Sequence, residues 1–455
     1  MKKIAVIVLG GILGLTFQIG TAHAVPIFAR KYGTSCQTCH VAYPKLTPFG
    51  QAFKNNGLRW PGEDRNPDYE KKDVPVELGA KAYEKVWPKA VWPGEIPGFP
   101  PISFFLANQF ESDLRDATAN SKNQFQGFGS DLEFITAGTL GRHFAFWGDG
   151  AFELAVDKDT GDVSTDVGLG RAYLIVSPFK KPVFLAKIGR FEPHVAAVSV
   201  HRGLLGDYYL LTDQTIQDNG STLEETQQGI ELSGYPGGRL GYTVGVVEGS
   251  GNPLNNAKDF YARLEYKIGG LRSDGESDKD FSSTSPWRDD SITIGTFGYL
   301  GFAKLSNAAA VHSATDDSID SIANGGPALP IPALVSQNDH FWIAGADLDI
   351  NYANFLANIV YARQQNNQPL VGSSASASTN HLLGEVNWVA YPWLIPGVKY
   401  ELFDSTGTRS QRITLGSNFL IRANIKAFLL GILEKVDAAG FGDHPAIQVG
   451  LVAGF

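Results

Sequence analysis

Alternating apolar and polar positions are the strongest pattern in this chain after about residue 100. In residues 260–268 the even-numbered positions are all apolar, and three of the four positions between them are charged. Residues 398–402 and 423–427 alternate in the same way. This period of two predicts β-strands with one apolar and one polar face. In a soluble sandwich the apolar face points to a core, whereas in an outer-membrane barrel it meets lipid and the polar face lines an aqueous lumen.

The number and length of the candidate strands favour the barrel. Segments of about ten residues suit a tilted membrane strand, and bacterial single-chain barrels have an even number of them. We therefore predict an all-β fold for residues 102–455, a transmembrane antiparallel β-barrel of about 16 strands. The candidate strands lie near residues 102, 130, 143, 167, 182, 227, 240, 258, 290, 340, 355, 380, 397, 410, 423 and 444.

The segments that connect these strands alternate between short and long. If the last strand ends in the periplasm, the short connections are periplasmic and the longest loops, 193–226 and 302–339, lie outside the cell. Residues 269–288 break the rule, because a long polar stretch falls where a short turn is expected. This stretch is a periplasmic insertion, a docking loop for a soluble partner or the sign of a miscounted strand. The short connections are residues 141–142, 178–181, 236–239, 351–354, 391–396 and 420–422.

Both ends of the sequence indicate export to a Gram-negative outer membrane. Lys2 and Lys3, the apolar run 4–20 and the small residues around Ala24 predict a signal peptide over residues 1–24. An uncleaved membrane anchor fits less well, because the run is short for a spanning helix. Phe455 ends an alternating strand, which resembles the signal that the barrel-assembly machinery reads.

Charge narrows the class of partner. The whole chain has a formal net charge of -9, and removal of two lysines with the signal peptide makes it -11. This acidic balance argues against nucleic acid as a partner. Charged residues make up only 19% of the chain and glycine is plentiful at 51 residues, which is typical of a barrel with many short strands. No nucleophile, phosphate-binding loop or paired-carboxylate motif indicates hydrolysis.

The only two cysteines, Cys36 and Cys39, are followed by His40 in the attachment signature of a covalent c-type haem. The cofactor prediction is therefore one haem c, attached to Cys36 and Cys39, with His40 as the proximal ligand of the iron. Before the barrel we accordingly predict a small α-helical and loop monohaem cytochrome c segment over residues 25–62 and a linker over 63–101.

The sixth ligand of that iron has no obvious source near the motif. Met1 is the only methionine and leaves with the signal peptide, so ligation by His and Met is impossible and a lower reduction potential is expected. His40 is the only histidine between residues 25 and 101. A distal histidine must come from the barrel or its loops, and we predict His201; lysine, asparagine or water are the other options. The remaining candidates are His143, His194, His312, His340, His381 and His444.

The N-terminal sequence resembles a known family, the fused outer-membrane cytochrome-porins of iron-oxidising and other metal-cycling bacteria. The resemblance rests on residues 28–33 (Phe-Ala-Arg-Lys-Tyr-Gly), the haem motif 36–40, and Pro44, Leu46, Phe49, Gly50 and Phe53. It covers about residues 26–60, and the barrel matches in architecture only. It implies haem attachment at Cys36 and Cys39, proximal ligation by His40, and electron transfer between extracellular metal ions and periplasmic carriers.

Three functions are compatible with these features. The first is an electron conduit, an iron:cytochrome c oxidoreductase that moves electrons from extracellular ferrous iron to a periplasmic c-type cytochrome or other carrier. The second is a metal reductase that sends electrons outward with the same parts. The third is a passive solute porin with a structural haem domain. Because one haem cannot relay an electron across about 30 Å of hydrocarbon in short steps, the conduit further predicts that the haem segment lies inside the lumen.

Overall fold

The computed structural model describes the barrel and the segment that carries the cysteines. The predicted signal peptide, most of the predicted linker and His312 lie outside the described residues. Those described are 27–61, 76–78, 94–96, 101–114, 123–141, 143–156, 163–206, 208–223, 226–250, 257–276, 285–307, 333–437 and 444–455, with short pieces between 313 and 330.

Sixteen antiparallel strands form a closed barrel in which each strand pairs with the next and the last pairs with the first. The predicted strand number is confirmed, and the strands lie at the predicted places. They are β1 Ile102–Asp113, β2 Asn123–Leu140, β3 Phe144–Val156, β4 Val163–Val176, β5 Leu185–Phe191, β6 Gln227–Gly234, β7 Leu240–Val247, β8 Asp259–Gly269, β9 Ser291–Ser306, β10 Ser336–Tyr352, β11 Phe355–Asn366, β12 Ala377–Trp388, β13 Leu394–Ser405, β14 Thr408–Arg422, β15 Ile425–Asp437 and β16 His444–Gly454.

The two faces of the strands divide as the alternation predicts. On β8 the apolar Leu264 is 54% exposed on the outside of the barrel, whereas the neighbouring Arg263 is 3% exposed on the inside. The expectation of a water-lined interior is wrong for much of the lumen. Lys399 and Glu401 of β13 are each 1% exposed, because other parts of the chain fill the space in front of them.

Most short connections lie at one end of the barrel and most long ones at the other, as predicted, although the turn 406–407 between β13 and β14 is a short one at the long-loop end. We call the end that carries residues 141–143, 353–354 and 423–424 the short-turn end, and the other the long-loop end. The turn predicted at 420–422 is displaced by two residues, because β14 continues to Arg422. The stretch between β8 and β9 belongs to the short-turn end and is a genuine insertion, since the strand count is correct without it.

Residues 192–226, which we call the inward loop, fold from the long-loop end into the lumen. Lumen-facing side chains bind its backbone: Glu385 accepts from Leu204 N, Glu401 accepts from Leu210 N, and Lys399 donates to the carbonyl of Tyr208. Tyr209 is completely buried and donates its hydroxyl to Glu385 at 2.8 Å. The polar face of the strands thus anchors a loop instead of facing open water.

The N-terminal segment, residues 27–61, is built from three short helices. These are α1 Ile27–Tyr32, α2 Cys36–Cys39 and α3 Pro48–Asn55. Thr47 caps α3 by accepting from Gly50 N at 3.0 Å, and a two-strand ribbon, His40–Ala42 with Lys45–Leu46, joins α2 to α3. Among the described residues, no helix is long and apolar enough to cross a membrane.

Candidate functional site

The N-terminal segment lies inside the barrel at its short-turn end. Arg59 is 2% exposed and donates to the carbonyls of Gly141 and Phe144 at 3.0 and 2.7 Å, which ties the segment to the turn between β2 and β3. On other parts of the wall, Lys31 Nζ donates to Thr139 Oγ1 at 2.7 Å, and Lys426 Nζ donates to the Tyr43 carbonyl at 2.7 Å. The segment therefore fills the lumen between strands that are far apart in sequence.

The insertion between β8 and β9 supports this segment. Asn56 Nδ2 donates to the carbonyl of Asp274 at 2.8 Å, and Leu271 packs against Phe49 of α3. A Cβ on Gly275 would lie 2.2 Å from Pro61 Cβ, so the two chains are in close contact there. The described residues of this stretch, 269–276 and 285–288, contact the chain's own N-terminal segment and neighbouring connections at the short-turn end.

A cavity between the N-terminal segment and the barrel contains the predicted cofactor residues. It encloses about 1630 Å³ of empty space, counting its open ends. Cys36, Cys39 and His40 line it, and so does His201 of the inward loop. Its apolar wall includes the aromatic residues Phe28, Phe53, Trp60, Phe105 and Trp147. We call this space the motif cavity.

His40 is held in an orientation that suits a metal ligand. Its Nδ1 lies 3.3 Å from the carbonyl oxygen of Pro44, a distance at which a protonated Nδ1 donates to that carbonyl. Burial lowers the pKa of His40 to about 4, although the Pro44 contact opposes this shift. The ring is therefore neutral, and Nε2 is the nitrogen with a lone pair.

The two cysteines are free thiols rather than a disulfide. Both belong to α2, whose first turn is capped by Ser35, and both face the motif cavity. Burial raises the pKa of both thiols, that of Cys39 to about 12 with a further contribution from Cys36. In this form they are protonated sulfurs directed at one cavity, which is the arrangement that two thioether bonds to one cofactor require.

His201 belongs to the inward loop and so reaches the motif cavity from the long-loop end. The same loop carries Glu192, the charged residue beside it. Nδ1 of His201 lies 2.8 Å from Glu192 Oε2, and the other carboxylate oxygen of Glu192 lies 3.0 Å from the Arg202 guanidinium. The sequence predicted a loop outside the cell here and named His201 as the distal ligand. It did not predict Glu192, which shares no motif with His201 and precedes it by nine positions.

Among the candidates whose side chains the structure describes, His143, His194, His340 and His381 do not line the motif cavity. His143 is exposed in a short turn with Nδ1 3.0 Å from the Ser177 carbonyl, and His340 is exposed on β10. His194 donates its backbone N–H to Glu231. His381 faces the lumen toward the long-loop end, as its shared face with Glu385 and Asn387 predicts, and it is 3% exposed because it packs edge-to-face on Phe403. The side chain of His444 lies outside the described residues.

Lys54 of α3 is a further cavity residue that sequence reasoning did not single out. Its side chain is exposed to the open space of the cavity. Its place inside the barrel lowers the pKa of Lys54, and the positive charges of Arg202 and Lys187 lower it further. Lys54 is therefore the lysine that could compete with His201 as an iron ligand. Within the described part of the chain, no three His, Cys, Asp or Glu side chains cluster in a way that would hold a bare metal ion.

Two more cavities continue from the motif cavity toward the long-loop end. The middle cavity shares His201 and Arg171 with the motif cavity. The outer cavity meets the middle one at Gly206 and Gln448. Together they follow one side of the lumen, past the inward loop, to the neighbourhood of His201.

These residues fit a covalent haem. The two thiols and His40 of the motif border one large cavity with an aromatic wall, and His40 has the Nδ1 contact that orients a ligating imidazole. Arg171 adds positive charge to the cavity lining, which suits the carboxylates of a porphyrin.

Comparison with known proteins shows the fold and nothing finer. No family model matches the chain, and no curated protein does either. The anion-selective porin from Comamonas acidovorans has a TM-score of 0.51 and 12% identity, covering 78% of this chain and 98% of that one. OmpF of Salmonella typhi, in complex with daunomycin, has a TM-score of 0.50 and 15% identity, covering 78% and 97%. The chain therefore has the barrel fold of outer-membrane porins.

Proposed function

We propose that this protein is an outer-membrane electron conduit with a single c-type haem inside a porin-like barrel. The observation that carries the proposal is the motif cavity, where Cys36, Cys39 and His40 meet His201. The first three come from the N-terminal segment at the short-turn end, and His201 comes from the long-loop end. Two parts of the chain that are about 160 residues apart thus supply complementary halves of one haem site.

Haem attached at Cys36 and Cys39 supplies reversible one-electron exchange between ferric and ferrous iron. His40 holds the proximal position, with its ring oriented by the Pro44 carbonyl. His201 provides the distal nitrogen, so that the site has no need of a methionine. The aromatic wall formed by Phe28, Phe53 and Trp60 makes one side of the cavity apolar.

The position of this site in the lumen supports transfer across the membrane. The hydrocarbon layer is about 30 Å thick, and a redox centre held between the inward loop and the insertion divides that distance. Outside, the chain of cavities that passes Gly206 offers small ions an approach to His201. At the other end, the ring centres of Trp60 and Phe49 lie 4.7 Å apart. These two rings lie between the motif cavity and the insertion, on the side we assign to the periplasm.

The donor that suits this arrangement is extracellular ferrous iron, and the acceptor is a periplasmic c-type cytochrome or another one-electron carrier. One turnover oxidises one ferrous ion outside and reduces one carrier inside, so electrons and charge balance. The activity is that of an iron:cytochrome c oxidoreductase. A metal reductase would use the same residues in the opposite direction, and the reduction potential of the site separates the two.

A passive solute porin is the competing function, and the barrel fold by itself is compatible with it. The filled lumen argues for the conduit: the inward loop is anchored by Glu385, Glu401 and Lys399, and the N-terminal segment occupies the short-turn end. Beside these two parts of the chain, the cavities along one side of the lumen stay open.

The test is haem analysis of the purified mature protein with matched variants. We expect one covalent haem per chain in the wild type and none in Cys36→Ser/Cys39→Ser, with both barrels folded. His201→Ala should keep the haem and convert its spectrum from low spin toward high spin. A wild type without covalent haem would refute the proposal, and an unchanged His201→Ala spectrum would exclude His201 as the distal ligand.

A further inference from the structure

Glu192 holds His201 and Arg202 with one carboxylate. Oε2 of Glu192 lies 2.8 Å from His201 Nδ1, and Oε1 lies 3.0 Å from the Arg202 guanidinium. Glu192 is 9% exposed and directly follows the end of β5, so the barrel wall fixes its backbone. Arg202 also donates to the carbonyl of Ala196 at 2.7 Å, which closes the turn that carries His201.

We infer that Glu192 is the positioning residue of the distal histidine, because its Oε2 lies 2.8 Å from Nδ1 of His201, within ion-pair distance, and so leaves Nε2 for the haem iron. This inference rests on the proposed function and goes beyond it. An imidazole has two nitrogens on opposite edges of the ring, and a carboxylate on one of them fixes both the tautomer and the ring plane. Glu192 also lines the motif cavity beside His201.

The two histidines of the site would then differ in their partners. Nδ1 of His40 faces a neutral carbonyl, that of Pro44, at 3.3 Å. Nδ1 of His201 faces a carboxylate, which makes an imidazole a more basic ligand and stabilises ferric iron over ferrous iron. Arg202 pairs with the same carboxylate and reduces the negative charge that His201 experiences, so it weakens the stabilisation of ferric iron. Glu192 and Arg202 should therefore shift the reduction potential in opposite directions.

The expected sizes follow from this arrangement. Partners of metal ligands typically change metal affinity by about 10–100-fold. A tenfold loss of the preference for ferric iron raises a one-electron potential by about 59 mV. Glu192→Gln should raise the reduction potential by about this amount. Arg202→Met should lower the reduction potential, because the Glu192 carboxylate then interacts with His201 alone. Removal of either charge would by itself shift the potential in these directions, so the paramagnetic resonance spectrum, which reports the ring plane of the ligand, separates positioning from charge.

The experiment is a redox titration of the detergent-solubilised protein with optical and paramagnetic resonance spectra of the same samples. Glu231→Gln is the matched control, because Glu231 is equally buried in the lumen and binds Lys187 and Tyr261 instead of His201. We expect wild-type potential and spectra for Glu231→Gln and a raised potential for Glu192→Gln. Both variants should carry wild-type amounts of covalent haem.

Several outcomes would overturn the inference. One is a Glu192→Gln protein with the potential and spectra of the wild type, and another is a His201→Ala protein that remains fully low spin, as it would if Lys54 were the ligand. If Glu192→Gln does not fold, Arg202→Met decides, and an unchanged or raised potential there counts against the inference. Failure of the proposed function is a separate result, because it appears as absence of covalent haem from the wild type.

Discussion

Gly50 lies directly against the backbone of Cys39. A Cβ built on Gly50 would sit 2.0 Å from the Cys39 carbonyl oxygen, closer than any real contact allows. Helix α3 can therefore cross the cysteine-bearing turn only if residue 50 has no side chain. This contact sets the position of Cys39 relative to the wall that α3 contributes to the motif cavity.

Gly50→Ala should consequently reduce haem attachment while the barrel still forms. Overpacking of this kind costs about 1–3 kcal/mol, and the N-terminal segment is small enough for that to displace Cys39. The measurement is covalent haem per folded barrel. Gly384→Ala is the control, because a Cβ there has no described atom within 4 Å. Equal haem content in the two variants would contradict this packing.

Removal of the Arg59 side chain should release the N-terminal segment from the barrel wall. Arg59→Met leaves the carbonyls of Gly141 and Phe144 without their buried donor, which costs about 1–3 kcal/mol. Limited proteolysis should cut this segment faster than in the wild type, with the barrel intact. Arg363→Met, a change at an exposed arginine on β11, should leave the cleavage rate unchanged.

The insertion between β8 and β9 should matter through its apolar contact more than through its surface charges. Leu271 is 7% exposed and packs on Phe49 and Ala52, so Leu271→Ala should weaken docking of the segment by about 2–3 kcal/mol. Glu276→Gln breaks only ion pairs near the surface, with Lys181 and Arg272, and should change docking little. The measurement is release of the N-terminal segment as denaturant concentration increases. Leu271→Ala should release it at a lower concentration than Glu276→Gln, and coincident curves would show that the insertion does not support the segment.

Tyr209 should control how open the lumen is. Its hydroxyl binds Glu385, and Lys399 Nζ lies 3.7 Å from the centre of its ring. Tyr209→Ala removes both contacts and should loosen the inward loop, which raises single-channel conductance in planar bilayers. Tyr209→Phe keeps the ring contact and should change conductance much less. Indistinguishable conductance of Tyr209→Ala and the wild type would mean that the loop is held in place without this residue.

His381 should be replaceable without loss of the site. The ring is buried against Phe403, and neither nitrogen has a hydrogen-bond partner within the described part of the chain. Burial of such a ring is costly, so His381→Leu should be neutral or raise the melting temperature. The haem spectrum should stay that of the wild type. A loss of low-spin character would make His381 a ligand and refute the assignment of His201.

The sequence predicts the barrel well because lipid imposes a local rule on it. Every other residue of a strand such as β8 must be apolar, and the pattern is visible within nine positions at residues 260–268. The haem motif is equally local. The filling of the lumen has no such signal, since Tyr209 meets Glu385 across 176 positions and Asn56 meets Asp274 across 218. Alternation places Lys399 and Glu401 inside but does not reveal that a loop covers them.

The histidine assignment shows the same limit. His201 and His194 are both in the loop that folds inward, and the sequence gives no reason to prefer the partner of Glu192 over the neighbour of Glu231. The sequence does not show which way Lys54 faces, because α3 is only eight residues long and its pattern does not decide between the cavity and the opposite side of the helix. Only the packing of α3 against the barrel wall turns Lys54 toward the motif cavity.

Electron transfer across a sealed membrane is the most direct test of the account. The measurement uses liposomes that contain the protein, enclose oxidised cytochrome c and receive ferrous iron outside. We predict that the enclosed cytochrome is reduced when the wild-type protein is present. With Cys36→Ser/Cys39→Ser, which retains the barrel, reduction should fall to the rate of protein-free liposomes. Equal rates for the wild type and this variant, or solute flux without any reduction of the cytochrome, would contradict the electron-conduit function.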